Sequence, residues 1–179
     1  MKSVKIKDKE FELFLTQEKI EKAIDKIAAK MNADLAGKDP LFVCVLNGSF
    51  MFASELMKRI SIPSEISFVR MSSYRGVTST GKIKEIYGLE EDLMERTVVV
   101  VEDIVDTGYT MALILDQLAC DEPKEIKVAT LLLKPDALRV KVPLDYVALE
   151  IPNDFIVGYG LDYDGYGRNL PDIYKIKNS

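Results

Sequence analysis

The sequence predicts an α/β domain with a mostly parallel central sheet flanked by helices. Two short segments, 41–46 and 98–101, are continuously apolar, as in strands that are buried on both faces. Segments with the apolar spacing of a helix alternate with such strands, and this alternation favours parallel pairing. A chain of 179 residues, of which 47% are hydrophobic and 30% charged, suits one domain of ordinary size. We therefore expect residues 1–179 to form a single domain.

The first half of the chain predicts two helices, two strands and one long loop. Apolar residues recur every three to four positions in both helices, with Thr16 as a candidate N-cap of the first and Pro63 ending the second. The loop contains Gly76 and Gly81 and has no convincing period. In order, the elements are a helix over 17–31, a strand over 41–46, a helix over 52–60, a strand over 65–71, and a mobile loop with short strand pieces over 72–87.

The second half continues the alternation of strands and helices. Four valines follow one another in the strand 97–101, and this is the clearest strand of the chain. The elements after it are a helix over 110–120 and strands over 126–133 and 145–150. The last third is rich in Gly, Tyr and Asp and short of helix formers, so it predicts a small lobe over the edge of the sheet.

Composition excludes several classes of function. The chain has no histidine, which excludes Ser-His and Cys-His catalysis and every His-ligated metal site. A net charge of -5 disfavours a non-specific nucleic-acid partner. No apolar run approaches the ~20 residues that cross a membrane, and the N-terminus lacks the apolar core of a secretory signal. Cys44 and Cys120 lie in apolar segments and predict reduced thiols. We therefore expect a cytoplasmic protein with neither a nucleic-acid nor a membrane partner.

The segment Val98–Thr110 carries the chemistry. A buried strand is expected to end at Val101, which places Glu102 and Asp103 at the carboxyl end of the sheet, where ligands bind in open α/β folds. Both carboxylates could bind a sugar diol or a hydrated Mg²⁺. A tight turn with a glycine then leads into a helix, whose N-terminal N–H groups can bind phosphate. One loop thus offers oxygen ligands beside a phosphate site, which suits a phosphorylated sugar with a metal.

This segment resembles the phosphoribosyl-pyrophosphate (PRPP) binding motif of type I phosphoribosyltransferases. That motif is an apolar strand, two acids, two variable residues, then Asp-Thr-Gly and a Thr. Over residues 10–175 the chain is similar in order and spacing to hypoxanthine (or hypoxanthine-guanine) phosphoribosyltransferases. The other matching segments are Leu46–Ser49 as the pyrophosphate loop, Ser73–Tyr74 as the start of a flexible catalytic loop, Lys134 as the base-reading lysine, and 155–168 as the hood.

The resemblance implies a fold, a reaction and its partners. The fold is that of type I phosphoribosyltransferases, with a small hood contributed mainly by residues 150–179 and the N-terminal segment. The reaction transfers the 5-phosphoribosyl group of PRPP to N9 of hypoxanthine, with guanine as a second substrate. It yields IMP or GMP and pyrophosphate through an oxocarbenium-like transition state. Mg²⁺ is the implied cofactor, and a homodimer or homotetramer is the implied assembly.

The resemblance also implies a role for each motif residue, with Asp106 as the general base at the purine N7. The ribose and 5'-phosphate of PRPP would contact Glu102, Asp103, Asp106, Thr107, Gly108, Tyr109 and Thr110. Pyrophosphate would contact Asn47, Gly48 and Arg168. The flexible loop would close through Ser73 and Tyr74, with Lys82 and Lys84 steering the anionic substrate. The purine would contact Lys134, Phe155, Ile156, Val157 and Asp162, and the metal would be held by Glu102, Asp103 and Asp162.

Two other functions and several other bases are alternatives. A PRPP- or nucleotide-sensing regulator on the same fold would bind the same ligand, but such proteins carry an added DNA-binding unit or a basic RNA-binding face. A receiver-type signalling domain also has an acidic pair after a strand, but that pair lies near the start of its domain. Among bases, Lys134 can only donate hydrogen bonds, which disfavours the amino group of adenine. The hood favours a 6-oxopurine over orotate or uracil, and the sequence does not separate hypoxanthine, guanine and xanthine.

Overall fold

The computed structural model describes residues 2–74 and 83–177, with only the backbone described at 72–74 and 83–85. The helices in these ranges are α1 (Gln17–Asp34), α2 (Phe50–Met57) and α3 (Tyr109–Ala119), with a 3₁₀ turn at Pro135–Ala137. The strands are β1 (Ser3–Ile6), β2 (Lys9–Leu15), β3 (Leu41–Leu46), β4 (Glu65–Tyr74), β5 (Ile83–Tyr87), β6 (Thr97–Val105), β7 (Glu125–Leu133), β8 (Tyr146–Glu150), β9 (Ile156–Val157) and β10 (Ile173–Ile176).

A six-stranded sheet forms the centre of the molecule, in the order β5-β4-β3-β6-β7-β8. All neighbours pair in parallel except β4 and β5, which pair antiparallel. Alternate residues of the central strands enter two apolar layers, so that Val99 packs towards α1 and α2 while Val100 packs towards α3. The predicted α/β class with a mostly parallel sheet between helices is confirmed.

Helix α1 shows how the local sequence determines where a helix begins and which of its faces is buried. Its N-cap is Thr16, whose hydroxyl accepts a hydrogen bond from the N–H of Lys19 at 3.4 Å. The six residues whose spacing predicted the helix are the six that are buried, namely Ile20, Ala23, Ile24, Ile27, Ala28 and Met31. The helix continues three residues beyond its predicted end, to Asp34.

The prediction that the valine-rich strand ends at Val101 is wrong, because β6 continues to Val105. The carboxylates of the acidic pair bond to the backbone of the strand itself. Oε1 of Glu102 accepts from the N–H of Asp103 at 3.2 Å, and Oδ1 of Asp103 accepts from the N–H of Ile104 at 3.0 Å. The register with β3 stops at Val101, whereas the register with β7 continues to Val105. The acidic pair therefore lies in the strand, where one side no longer pairs with β3.

The polar stretch 72–87 contains more regular structure than a loop. Strand β4 runs to Tyr74 and pairs antiparallel with β5, in a register that places Tyr74 opposite Ile83 and Arg70 opposite Tyr87. The expected strand pieces are thus the end of β4 and the whole of β5. The predicted closing loop between them, with Lys82, lies outside the described residues.

Both ends of the chain combine in a second, four-stranded sheet, in the order β1-β2-β10-β9. Strand β10 lies between β2 and β9 and pairs antiparallel with both. The buried residues of this sheet form a small core of their own, made of Ile6, Phe11, Val157 and Tyr174. The N-terminal segment, for which the sequence predicted no strand, therefore packs against the segment that follows β8.

Candidate active site

The carboxyl ends of β3, β6, β7 and β8 meet at one edge of the central sheet. Each strand delivers a different segment to that edge. The turn with Asn47 and Gly48 follows β3, Asp106 follows β6, and Lys134 follows β7. The segment that begins with Phe155 follows β8. The topology therefore brings the predicted motifs, which are far apart in sequence, to one place.

The acidic pair of β6 is almost completely buried. Glu102 and Asp103 are each 9% exposed. Burial raises the pKa of Glu102 well above its usual range, and the negative charge of Asp103 raises it further. Burial also raises the pKa of Asp103, although hydrogen bonds and the charge of Arg168 offset part of that rise. Neither carboxylate forms an ion pair with any side chain in the described ranges. Two adjacent buried carboxyl groups of this kind favour the binding of a cation or a sugar diol.

A tight turn connects β6 to α3. Its Gly108 has φ 86°, and a Cβ there would lie 2.5 Å from the carbonyl oxygen of Val140. The carbonyl of Thr107 accepts hydrogen bonds from the N–H groups of Arg139 and Val140. The N–H of Ala112 donates to Gly108 at 2.9 Å, so the N–H groups just before it are not used inside the helix. This geometry suits an anion at the start of α3.

The turn borders a cavity of about 280 Å³. Its lining residues are Glu102, Ile104, Val105, Asp106, Thr107, Gly108, Thr110 and Met111. One buried carboxylate, one half-exposed carboxylate and two hydroxyls therefore line the cavity, together with a helix N-terminus. Tyr109, also predicted to contact PRPP, points its side chain largely to solvent, with 62% of the residue exposed.

Lys134 and Asp106 form an ion pair at this edge. Lys134 Nζ lies 3.2 Å from Asp106 Oδ2, and the side chains are 8% and 45% exposed, respectively. The N–H of Lys134 donates to the carbonyl of Val105 at 3.0 Å, which fixes the lysine beside the end of β6. The sequence predicted a role for each of these residues but not their contact. The pair places a buried cation and an accessible carboxylate side by side.

The turn after β3 is held by two contacts that are distant in sequence. The Leu46–Asn47 peptide bond is cis. A Cβ on Gly48 would lie 1.7 Å from Oδ2 of Asp103, so the turn packs directly on the acidic pair. A Cβ on Gly160, where φ is 99°, would lie 2.0 Å from the carbonyl oxygen of Gly48. No side chain fits at either position, so both residues must be glycine. Through these two contacts the turn after β3 packs against β6 and against the segment after β9.

The segment after β9 contains an ion pair of its own. Arg168 Nη2 lies 2.7 Å from Asp162 Oδ1, and Arg168 Nη1 donates to the carbonyl of Gly160 at 2.7 Å. The second oxygen of Asp162 accepts from the N–H of Gly165 at 2.7 Å. Both oxygens of Asp162 are therefore engaged within the protein. The roles predicted for Asp162 at the metal and at the purine stay predictions. The same holds for the role predicted for Arg168 at pyrophosphate.

The predicted purine contacts differ in what they can offer. Phe155 is 46% exposed and packs in a cluster with Phe11 and Tyr163, at centroid distances of 6.3 and 6.0 Å. Ile156 and Val157 are buried strand residues of the small sheet. A ligand could reach them through backbone groups rather than side chains. The predicted loop residues Ser73 and Tyr74 end β4, and their side chains are outside the described part of the structure.

The donor set fits Mg²⁺ bound together with a substrate. Among the described residues, no group of three or more Asp, Glu or Cys side chains converges as a metal-binding cluster. Mg²⁺ is commonly held by one or two carboxylates, with substrate oxygens and water completing its shell. Glu102 supplies a carboxylate that lines the cavity, and Asp103 supplies a second one next to Gly48 in the turn after β3. No preformed all-protein cage is needed.

Arg70 and Gly160 contact the turn after β3, and the sequence prediction named neither of them. Arg70 donates from Nη2 to Oδ1 of Asn47 at 2.7 Å. Gly160 is the contact of the later segment with the turn after β3. Two features of the sequence could have drawn attention to them. Arg70 is near the end of a predicted strand, and two glycines flank Tyr159. Neither signal identifies its partner, because both contacts join residues distant in sequence.

Comparisons with known proteins agree with this geometry. A family model described as a phosphoribosyl transferase domain matches residues 12–164. A hypoxanthine-guanine phosphoribosyltransferase of Streptococcus agalactiae serotype V is 44% identical over 153 residues, covering 85% of both chains. The protein of that name from Streptococcus pneumoniae R6 is 41% identical over 166 residues, covering 92% of both chains.

Solved structures are similar over almost the whole chain. A hypoxanthine phosphoribosyltransferase of Staphylococcus aureus superposes with a TM-score of 0.82 at 36% identity, covering 93% of this chain and 91% of that one. A hypoxanthine-guanine phosphoribosyltransferase of Bacillus anthracis gives a TM-score of 0.82 at 32% identity, covering 93% and 97%. Within the described ranges, no helix has the length and apolar character to cross a bilayer.

Proposed function

The chain belongs to the phosphoribosyltransferase family, and we propose that it transfers the 5-phosphoribosyl group of PRPP to N9 of hypoxanthine and of guanine. The products would be IMP or GMP and pyrophosphate, as in purine salvage. The relatives' names support the reaction and its bases. The observation that carries the proposal for this chain is the cavity between Glu102 and the start of α3, with the Lys134–Asp106 pair at its side.

We place the 5'-phosphate at the N-terminus of α3. The unused N–H groups of the first helical turn and the hydroxyls of Thr107 and Thr110 are all donors. The helix dipole favours a negative charge at the same point. Thr107 is fixed through its carbonyl by the segment at Val140, so little rearrangement is needed on binding. This end of the substrate would serve as the anchor against which the reacting carbon is oriented.

Glu102 and Asp103 would bind the ribose hydroxyls and, with them, Mg²⁺. A bound divalent cation would neutralise charge on the diphosphate and on the two acids. The raised pKa of both carboxyl groups supports this assignment, since a cation or a diol compensates for their burial. Negative charge near the ribose also stabilises an oxocarbenium-like transition state. Asp162 would join a metal only after releasing Arg168 and the N–H of Gly165.

The base would bind beside the Lys134–Asp106 pair. An ammonium has three donors, and one of them is directed at Asp106 here, which leaves two for the O6 carbonyl of a 6-oxopurine. Asp106 is 45% exposed and could accept the proton that leaves N7. Backbone groups near Val157 and the ring of Phe155 would border the purine. Lys134 itself can only donate, so it offers no acceptor to the 6-amino group of adenine.

The direct test is pyrophosphate release from PRPP and Mg²⁺, with hypoxanthine, guanine, xanthine and adenine supplied separately. Release with hypoxanthine and guanine, lost on chelation of the metal and weak with adenine, is the expected result. Binding of PRPP without release for any base would instead support a ligand-sensing protein on this fold. Sedimentation of the same preparation would test the homodimer or homotetramer that we also propose.

A further inference from the structure

Arg70 lies beside the turn that follows β3. It is an exposed residue in the middle of β4, and the parallel register places it next to Leu46, the last residue of β3. Its Nη2 donates to Oδ1 of Asn47 at 2.7 Å, and it forms no ion pair with any described carboxylate. A guanidinium has five N–H donors, so most of them are not used by this bond. Arg70 thus links the turn to the neighbouring strand through a single side chain.

The contact determines how the amide of Asn47 is oriented. A guanidinium can only donate hydrogen bonds, so the amide must turn its oxygen towards Arg70. The NH₂ group of Asn47 then points away from the arginine. Without Arg70 the amide could rotate and present either its oxygen or its nitrogen. Arg70 therefore causes Asn47 to present a hydrogen-bond donor, rather than an acceptor, to the open side of the turn.

Arg70 also differs from the other cations at this edge of the sheet. Lys134 is paired with Asp106, and Arg168 is paired with Asp162. Arg70 instead contacts a neutral amide, and no carboxylate among the described side chains neutralises its charge. An anion close to the turn after β3 would meet an amide donor backed by this cation.

We propose that Arg70 is a positioning residue for the pyrophosphate end of PRPP, because it fixes the Asn47 amide with its NH₂ group towards the leaving diphosphate. This inference rests on the proposed function. A diphosphate accepts hydrogen bonds at every oxygen, so an amide in the opposite orientation would repel it. The role is indirect, since Arg70 acts through Asn47.

The test compares Arg70→Met, Arg70→Lys, Asn47→Ala and the double variant Arg70→Met/Asn47→Ala. The readouts are KM for PRPP, KM for pyrophosphate in the reverse reaction with IMP, KM for hypoxanthine, and kcat. We expect Arg70→Met to raise both KM values for the diphosphate ligands by about tenfold, the size of one charge-assisted hydrogen bond. The KM for hypoxanthine should stay within about twofold, because the purine end is not involved. Arg70→Lys, which keeps a donor and the charge, should restore part of the loss.

The double variant separates positioning from a general effect of charge. If Arg70 acts through Asn47, the double variant should be no worse than the more affected single variant. Arg96→Met is the matched control, because Arg96 pairs with Glu65 at the start of β4 at 3.0 Å and its loss changes the net charge equally. We expect this control to leave every KM unchanged. Melting curves should show that the exposed Arg70 variants stay folded.

Two results would overturn the inference. One is a KM for PRPP and for pyrophosphate that is unchanged in Arg70→Met, and the other is additive losses in the double variant. In either case the wild-type protein would still form IMP, so the proposed function would stand. Absence of turnover by the wild-type protein with every purine would instead contradict the proposed function itself.

Discussion

The two glycine-containing turns at the edge of the sheet are built in different ways. The turn after β6 is formed by consecutive residues, since Asp106 to Thr110 lead directly into α3 and the helix supplies the N–H groups. The turn after β3 depends on residues from elsewhere, namely Asp103 under Gly48, Gly160 above it and Arg70 at Asn47. We conclude that the first turn binds its anion through local structure, whereas the second is formed only when three distant parts of the chain are in place.

Asp106→Asn should give the largest effect and separates chemistry from binding at the first turn. We expect kcat to fall by about 10²-fold or more, because a general base contributes about 10²- to 10⁴-fold. Binding of PRPP should change little, since the phosphate contacts come from the helix N-terminus. The measurement is kcat beside the dissociation constant for PRPP. Turnover close to that of the wild-type protein would remove Asp106 from the base role.

Gly160→Ala should disrupt the second turn. Its Cβ would lie 2.0 Å from the carbonyl oxygen of Gly48, so the two segments must separate. We expect kcat/KM to fall by about 10²-fold, a loss typical of a displacement of about 1 Å in a site. Gly165→Ala is the control, because it has a similar φ of 85° but nothing within 4 Å of its Cβ. If both variants lost kcat/KM equally, the effect would come from backbone strain and not from the contact with Gly48.

Lys134→Met tests the base end of the site, where Lys134 pairs with Asp106 beside the first turn. The thioether fills a similar volume but cannot donate to O6. We expect kcat/KM for hypoxanthine to fall by about 10- to 100-fold, which corresponds to the ~1.5–3 kcal/mol of a hydrogen bond to a charged group. Binding of PRPP in the absence of base should be retained. An unchanged preference for hypoxanthine over adenine would refute the assignment of Lys134 to O6.

Gly108→Ala should give the smallest of these effects and acts only on the first turn. The added Cβ would lie 2.5 Å from the carbonyl of Val140, and a φ of 86° is unfavourable for alanine. We expect the dissociation constant for ribose 5-phosphate to rise by about tenfold, equivalent to ~1.4 kcal/mol. Calorimetry with that ligand measures the effect. Unchanged affinity would argue against phosphate binding at α3.

The parts of the site that could be predicted from the sequence belong to the first turn. The segment from Val98 to Thr110 indicated acids, a turn and a helix start in one stretch, because each feature depends on its neighbours in sequence. The extent of β6 was underestimated, since buried acids are costly and Val101 looked like its end. Burial of Glu102 and Asp103 depends on neighbouring segments that a local pattern does not include.

Contacts between distant segments could not be predicted from the sequence. Nothing near Gly48 indicates that Asp103 packs under it, and nothing near Gly160 indicates that it lies against the carbonyl of Gly48. The N-terminal strands were missed for a similar reason. They are short and partly polar, and β10, which joins β2 to the rest of the small sheet, is about 160 residues away in the chain. Pairing of that kind is decided by tertiary structure rather than by local propensity.

The most direct test of the division between the two turns is calorimetry with ribose 5-phosphate, which has the phosphate end of PRPP but no diphosphate. Gly108→Ala and Gly160→Ala should be measured side by side with the wild-type protein. We predict that Gly108→Ala weakens binding by about tenfold while Gly160→Ala changes it by less than about twofold, even though Gly160→Ala loses most of its turnover. Equal weakening in both variants would contradict the account, because it would mean that the phosphate end also depends on the distant contacts.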